Sequence, residues 1–260
     1  MPTSTYLPKV QGGHVYVDEG AGDAVVLLHG MLGGVENWDP AVAGLVKAGY
    51  RAVVPTLPVY DLPTSESNVS GLVTYLGRFL DDLELHDFVL GGNSLGGHVA
   101  LLHAMEAPGR ARALVLSGAS GIYEVAMGTE TMRRRDREFV RERAAWTFYD
   151  PRHATDELVD EMLALIEDRS KALRLIRMAR STQQETLTDR LGEIQVPTLL
   201  VWGTDDRITP IDVAHTFQEG LQQAQLVVLD QCGHAPMIEH PERFNEVMLS
   251  FLKDVEARAL

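Results

Sequence analysis

Short apolar runs alternate with helical patterns along most of this chain of 260 residues. The runs are rich in leucine and β-branched residues without clean polar alternation, which is typical of strands covered on both faces. Strands that alternate with helices favour a parallel sheet with helices on both sides. The predicted strands are residues 15–17, 24–28, 52–54, 88–90, 113–116, 198–202 and 226–229. The predicted helices among them are residues 39–48, 68–84, 96–106, 211–221 and 242–257.

One stretch interrupts this alternation. Residues 122–191 contain no strand run and show helical patterns near 131–146, 155–168 and 170–180, the second of them after Thr155. Threonine is a favoured residue at a helix N-terminus. We therefore predict a core of residues 1–121 and 192–260 and a helical cap of residues 122–191. Ligands of such sheets bind at the carboxyl ends of the strands, where a cap would cover them.

Ser94 lies at the join between a predicted strand and a predicted helix. It is the centre of the pentapeptide Gly92-Asn93-Ser94-Leu95-Gly96. On a sharp strand-to-helix turn the hydroxyl is raised clear of the sheet, and glycines two positions away let the backbone fold back. The following helix presents free N–H groups where negative charge would be stabilised. The setting predicts a nucleophilic serine rather than a helix-capping one.

A serine nucleophile needs a base, and the base needs a third group to orient it. The strand at 198–202 ends in a loop that holds Asp205 and Asp206, and the strand at 226–229 is followed by His234. Each of these side chains follows a strand of the parallel sheet. The chain order is therefore serine, aspartate, histidine, all at one edge of the sheet.

These residues resemble the α/β-hydrolase family, and the resemblance runs from His29-Gly30 to the last helix. It implies a mostly parallel eight-stranded sheet with helices on both faces and a helical cap. It also implies that Ser94 is the nucleophile and His234 the base. In that family the acid stands three residues after the glycine of a W-G-x-x-D motif, which selects Asp206 over Asp205.

Acyl transfer also needs donors for an oxyanion. The loop at 28–34 is rich in glycine, so its backbone N–H groups can approach a ligand. By resemblance to the H-G motif of the family, the donors are the backbone N–H groups of Met31 and Leu95. The loop lacks the G-x-G-x-x-G and G-K-S/T spacings of nucleotide sites, and the nine histidines show no metal-ligand spacing. We expect neither a cofactor nor a metal.

Three functions are consistent with Ser94, Asp206 and His234 in this arrangement. The leading expectation is a serine hydrolase that cleaves carboxylic esters through an acyl-enzyme on Ser94. The alternative is a carbon–carbon bond hydrolase of ring-cleavage dienoates (the meta-cleavage-product type), whose Gly-Asn-Ser-x-Gly-Gly motif is matched at 92–97. Those enzymes typically carry a tryptophan soon after the histidine, whereas Ala235, Pro236 and Met237 follow here, and their lid arginine has no clear counterpart. A ligand sensor on the same fold is the third hypothesis.

Charge and composition limit the classes of molecule that this chain is expected to bind. The chain carries 37 acidic and 23 basic side chains, a net charge of −14, which disfavours nucleic acid and anionic membranes. A single cysteine, no signal-peptide pattern and no long apolar stretch lead us to expect a cytoplasmic protein with a small-molecule ester or related acyl substrate. The oligomeric state stays open. The one basic cluster, at 133–143, fits either a self-paired helix or a lid that recruits anions.

Overall fold

The sheet of this protein is built from eight strands, as seen in a computed structural model that describes residues 4–125 and 136–259. The strand order is β1-β2-β4-β3-β5-β6-β7-β8. β1 and β2 run antiparallel to their neighbours, and the strands from β4 to β8 pair in parallel. The strands are β1 (Lys9–Gln11), β2 (His14–Gly20), β3 (Ala24–Leu28), β4 (Arg51–Pro55), β5 (Phe88–Asn93), β6 (Ala111–Ser117), β7 (Thr198–Gly203) and β8 (Ala224–Leu229).

The predicted fold class is confirmed, and each of the seven predicted runs lies in a strand. The additional strand is β1, whose residues are all exposed at the edge of the sheet. An exposed strand of three residues has no apolar run, which explains why the pattern did not predict it.

Helices cover both faces of the sheet. One core cluster packs α2, α3 and α7 against one face, and a second packs α1 and α9 against the other. The helices of the described residues are α1 (Asp39–Lys47), α2 (Val69–Asp82), α3 (Leu95–Glu106), α4 (Arg137–Ala145), α5 (Asp156–Glu167), α6 (Arg169–Gln184), α7 (Ile211–Gly220), α8 (Pro236–Glu239) and α9 (Pro241–Ala259). Short 3₁₀ helices occur at Val35–Trp38, Thr64–Glu66, Pro151–His153 and Thr188–Glu193.

Between β6 and β7 the described residues form helices and loops. α5 begins where the sequence predicts, because the Thr155 side chain accepts a hydrogen bond from Leu158 N at 3.3 Å. α4 begins at Arg137, with Asp136 accepting from Glu138 N at 3.0 Å. The first part of the predicted 131–146 helix, with arginines 133–135, lies outside the described residues.

The sheet register brings the functional loops together. Leu28 at the end of β3 pairs with Gly92 of β5, and Asn93 pairs with Ser117 at the end of β6. β7 pairs in parallel with β8 as far as Gly203 and Leu229. The loops after β3, β5, β7 and β8 therefore leave the same edge of the sheet. Among the helices of the described residues, none combines the length and apolar character needed to cross a membrane.

Candidate active site

Ser94 occupies a strained turn between β5 and α3. Its backbone has φ 54° and ψ −120°, a combination that side-chain-bearing residues rarely adopt. The glycines on either side are required by space. A Cβ on Gly92 would lie 2.3 Å from the Gly96 backbone, and a Cβ on Gly96 would lie 2.3 Å from Leu28 O. The pentapeptide thus forms the tight elbow predicted from sequence, with Ser94 at its apex.

His234 and Asp206 form a buried pair beside this turn. His234 Nδ1 lies 2.8 Å from Asp206 Oδ2, and the two residues are 4% and 5% exposed. Asp206 Oδ1 accepts hydrogen bonds from the backbone N–H groups of Ile208 and Thr209, each at 2.9 Å, and the Thr209 hydroxyl donates to Oδ2 at 2.9 Å. These three hydrogen bonds hold the carboxylate in one orientation. The aspartate can therefore fix the ring orientation of His234.

The neighbouring aspartate is turned away from the histidine. Asp205 Oδ2 accepts a hydrogen bond from the Thr204 hydroxyl at 2.7 Å, on the exposed side of the loop. Its backbone N–H donates to Cys232 O at 2.9 Å. Of the two candidates, only Asp206 contacts the imidazole. This is the geometry that the W-G-x-x-D spacing predicts.

Asn93 joins the serine turn to the histidine loop. Its buried side-chain amide donates to both Ser117 O and His234 O, each at 2.9 Å. Ser94 N also donates to Ser117 O, at 3.1 Å. Gly118 lies against the ring, since a Cβ there would be 2.8 Å from His234 Nδ1. Ser94 and His234 are thus held to the same short segment at the end of β6.

The loop after β3 runs along the other side of Ser94. A Cβ on Gly30 would lie 3.4 Å from Ser94 Cβ, so the peptide leading to Met31 passes directly beside the serine. The Tyr60 hydroxyl donates to Met31 O and fixes this loop. Leu95 is the first residue of α3, where the backbone N–H has no acceptor in an earlier helical turn. Both predicted oxyanion donors thus belong to backbone that borders Ser94.

His29 connects the same loop to the loop after β4. Its Nδ1 is 2.8 Å from Gly30 O, and its Nε2 accepts a hydrogen bond from Leu57 N at 2.9 Å. Burial lowers the pKa of His29 to about 4, against a smaller opposing effect of the Gly30 backbone. The ring is therefore neutral and cross-links the loops after β3 and β4.

The electrostatics around His234 favour its charged form. Burial acts against the imidazolium, but the charge and hydrogen bond of Asp206 outweigh it and raise the pKa of His234, with smaller contributions from Glu124 and Glu239. The second ring nitrogen, Nε2, is buried and has no hydrogen-bond partner among the described residues. The ring can therefore exchange a proton at Nε2 while Nδ1 stays bound to Asp206.

A cavity of about 280 Å³ lies between the loop after β3 and the helices that follow β6. Leu32 and Tyr60 form its core side, and α5 supplies residues such as Leu158 and Met162. Most of this lining is apolar, with Lys171 and two acidic residues as its charged members. The site therefore offers a mostly apolar space beside the loop that carries Met31.

The described part of the basic cluster, residues 137–143, forms ion pairs with another helix. Arg137 and Arg141 on α4 both bind Asp156, so the pairing joins α4 to α5 rather than neighbours on one helix. Arg143 makes no ion pair with a described residue. Its guanidinium lies 4.9 Å from the Phe139 ring centroid and 4.3 Å from that of Trp146. Cation–π contacts hold the group in place, and no carboxylate of the described residues pairs with its charge.

Comparison with known proteins decides the family. The model of the alpha/beta hydrolase family matches residues 25–247. This chain belongs to the α/β-hydrolase family. It is a hydrolase, so the hypothesis of a ligand sensor gives way to that of an enzyme. An α/β hydrolase enzyme from the metagenome of lagoon sediments at Mar Chica, Morocco, superimposes with a TM-score of 0.80 at 31% identity, over 96% of this chain and 99% of that one.

Two curated relatives carry the same name, 2-hydroxy-6-oxononadienedioate/2-hydroxy-6-oxononatrienedioate hydrolase. The protein from Paraburkholderia phymatum is 34% identical, over 96% of each chain. The protein from Cupriavidus pinatubonensis is 32% identical, over 90% of this chain and 89% of the relative. The substrates in these names are keto diacids and contain no ester.

The expectation of ester cleavage is therefore wrong. It depended on two local features, the missing tryptophan after His234 and the lack of a placed lid arginine. The likeness to dienoate hydrolases extends over nine-tenths of both chains, which outweighs one position beside the histidine. The Gly-Asn-Ser-x-Gly-Gly match at 92–97 was the sequence signal that already favoured the alternative.

Sequence reasoning missed several residues that support the site. In the sequence, Asn93 stands out only as part of the pentapeptide, and no motif marks Thr209 or Tyr60 as a residue that supports the site. Asn93 could have been recognised, because a polar residue at the end of a buried strand needs a partner. Tyr60 could not, because its contact with Met31 joins loops that are 29 residues apart.

Proposed function

We propose that this protein hydrolyses a carbon–carbon bond in a 2-hydroxy-6-oxo-dienoate, a ring-cleavage compound of the meta-cleavage-product type. The observation that carries the proposal is the 32–34% identity to hydrolases named for 2-hydroxy-6-oxononadienedioate, over about nine-tenths of both chains. The Gly-Asn-Ser-x-Gly-Gly motif at 92–97 agrees with it.

The chemistry of such a substrate fits a nucleophile with a mobile proton. A ketone has no heteroatom leaving group, so hydrolysis at C6 must break its bond to C5. The electron pair left on C5 is stabilised by conjugation with the 2-oxo tautomer and takes up a proton. Water supplies the oxygen of the carboxylic acid formed from C6. The site must therefore add an oxygen nucleophile at one carbon and a proton at the next.

We assign these tasks to Ser94, His234 and Asp206. Ser94 Oγ attacks C6 while His234 Nε2 takes its proton, and Asp206 holds the ring and stabilises the imidazolium. The N–H groups of Met31 and Leu95 stabilise the oxyanion on C6, an interaction typically worth about 3 kcal/mol per donor. When the C5–C6 bond breaks, the proton on His234 passes to C5. Water then releases the acid from Ser94 with His234 again as base.

We further propose that residues 122–191 act as a cap that selects the substrate. Its helices line the apolar cavity beside Leu32. Arg143 of α4 lies over the Trp146 ring and makes no ion pair with a described residue. A carboxylate of the substrate would complement that charge. A reducing cytoplasm suits a chain with one cysteine, which is buried.

The test is turnover of 2-hydroxy-6-oxononadienedioate by the purified protein. Cleavage destroys the conjugated dienolate, so its visible absorbance should disappear, with the two acid products identified by mass spectrometry. A panel of p-nitrophenyl esters provides the comparison. Stable dienoate absorbance together with rapid ester turnover would refute the proposal.

A further inference from the structure

Glu239 stands at the end of α8, five residues after His234, and neither the motifs nor the proposed reaction uses it. Its carboxylate accepts hydrogen bonds from three backbone N–H groups. Oε1 accepts from Gly233 at 2.7 Å, and Oε2 accepts from Tyr149 at 2.8 Å and Asp150 at 3.2 Å. The first donor precedes His234, and the other two follow α4. One side chain thus joins two segments more than 80 residues apart.

The same two segments meet through the histidine itself. His234 N donates to Thr147 O at 2.7 Å. Gly233 packs closely on this segment, because a Cβ there would lie 2.7 Å from Thr147 O and 2.8 Å from Phe148. The His234 loop is therefore fixed by Asn93 on the serine side and by residues 147–150 on the other. Glu239 is the only charged side chain among these described tethers.

The chemistry of these contacts requires a carboxylate. Both oxygens act as acceptors, and ionised acceptors make hydrogen bonds about twice as strong as neutral ones. Glutamine has only one acceptor oxygen, and its NH₂ group would face a backbone N–H. Glu239→Gln must therefore release either Gly233 or the 149–150 segment. Either loss frees one side of the His234 loop.

We infer that Glu239 is a positioning residue that fastens the His234 loop to residues 147–150 and so holds the imidazole at the distance that proton transfer requires. The inference rests on the proposed role of His234 as the base. In this inference, residues 147–150 help to position the base, in addition to their proposed role in covering the site.

Glu239 also contributes negative charge near the ring. Among the described residues, three carboxylates raise the pKa of His234: Asp206 from the loop after β7, Glu124 from the loop after β6, and Glu239. Asp206 makes the largest contribution that raises the pKa of His234, and Glu239 the smallest. A base works in its neutral form, so activity rises with pH through this pKa. Removal of the Glu239 charge should shift that rise to lower pH.

The experiment compares Glu239→Gln, Glu239→Ala and Glu239→Asp with Glu242→Gln. Glu242 is exposed in the first turn of α9, so its variant removes the same charge away from the tether. We expect kcat to fall by about 10- to 100-fold in Glu239→Gln and Glu239→Ala, as for a small misplacement of a reacting group. KM should change by less than about threefold, since Glu239 holds the base and not the substrate. Glu242→Gln should match the parent.

A second measurement needs no natural substrate. A fluorophosphonate reacts with an activated serine, so its labelling rate as a function of pH reports the base directly. Slower labelling and an earlier rise with pH in Glu239→Gln, at an unchanged melting temperature, would support the inference. Parent-like rate and pH profile in both Glu239→Gln and Glu239→Ala would overturn it.

The controls separate this inference from the proposed function. If His234→Ala is labelled as fast as the parent, His234 is not the base and the proposed mechanism fails. If His234→Ala is inert while Glu239→Ala behaves like the parent, only the positioning role fails. Should Glu239→Ala not fold, Glu239→Asp gives the decision, because a shorter carboxylate keeps the charge and cannot span both segments.

Discussion

The loops at the edge of the sheet and the helices that follow β6 are built in different ways. In the loops, buried hydrogen bonds and close backbone packing leave little room for variation, as around Asp206 and Gly96. On the outer side of the helices, much of the polar contact is exposed. Asp156, which joins α4 to α5, has a side chain that is 69% exposed.

The difference has an energetic basis. A buried acceptor that loses its donor costs about 1–3 kcal/mol, so the arrangement around Asp206 and His234 tolerates few substitutions. An exposed ion pair is worth about 0–1 kcal/mol, so the pairing of α4 with α5 can change without loss of the fold. Under the proposed function, we therefore expect the loops to fix the reaction type. We expect the helices that follow β6 to set the choice of substrate, because exposed ion pairs can change at little cost in stability.

The largest effect is expected for Ser94→Ala, which tests the loops at the edge of the sheet. Loss of a triad nucleophile typically lowers kcat on the order of a millionfold, and a partly exposed hydroxyl contributes little to packing. We expect the melting temperature to stay close to that of the parent. Dienoate turnover and thermal unfolding measured on the same preparation check both parts. Activity within tenfold of the parent would remove Ser94 from the mechanism.

The next test uses the two adjacent aspartates as a matched pair. Asp206→Asn should lower kcat by about 10⁴, because an amide no longer stabilises the imidazolium and favours the wrong ring tautomer. Asp205→Asn should change kcat by less than about threefold, since its carboxylate contacts Thr204 on the exposed side. Steady-state rates of the two variants give the answer. Equal losses would mean that both carboxylates act on His234.

Sequence patterns predicted the strands and also helices such as α5 and α6, but not the contacts that support the site or the substrate. Strand patterns place Ser94, the pair Asp205 and Asp206, and His234 at the carboxyl ends of buried strands, and the resemblance to the family selects Asp206. The supporting contacts of Asn93 and Glu239 join residues 141 and 90 positions away, which no local pattern encodes. The substrate was misread for a related reason. A single missing tryptophan says little about a cavity whose walls come from several elements.

The helical layer is tested by Arg143→Met, with Arg137→Met as its control. Methionine keeps apolar contact with Phe139 and Trp146 but removes the cation. Hydrogen bonds to charged groups are worth about 1.5–3 kcal/mol, so KM for a dicarboxylate substrate should rise by about 10- to 100-fold. Arg137→Met removes two exposed ion pairs, with Asp156 and Asp160, and should leave KM unchanged. An equal KM in both variants would show that Arg143 does not bind the substrate carboxylate.

The last test concerns His98, which is fully buried on α3 and for which we expect an effect on stability and little on activity. Burial lowers the pKa of His98 to about 4, and the backbone of Glu185 opposes the shift only in part. The unfolded chain, with an ordinary value of 6.5, therefore binds the proton more tightly than the folded one. Stability from the neutral ring is present above pH 6.5 and is lost as the pH falls toward 4, up to about 3 kcal/mol for this residue.

His98→Leu should flatten that part of the curve of unfolding free energy against pH, and it should leave the melting temperature at pH 8 within a few degrees of the parent. Thermal unfolding from pH 4.5 to pH 8 measures both, with His215→Leu on the exposed side of α7 as the control. Parallel curves for His98→Leu and the parent would mean that the buried ring does not drive acid unfolding, and the loss would then lie with His29 or His103, whose pKa values burial also lowers to about 4.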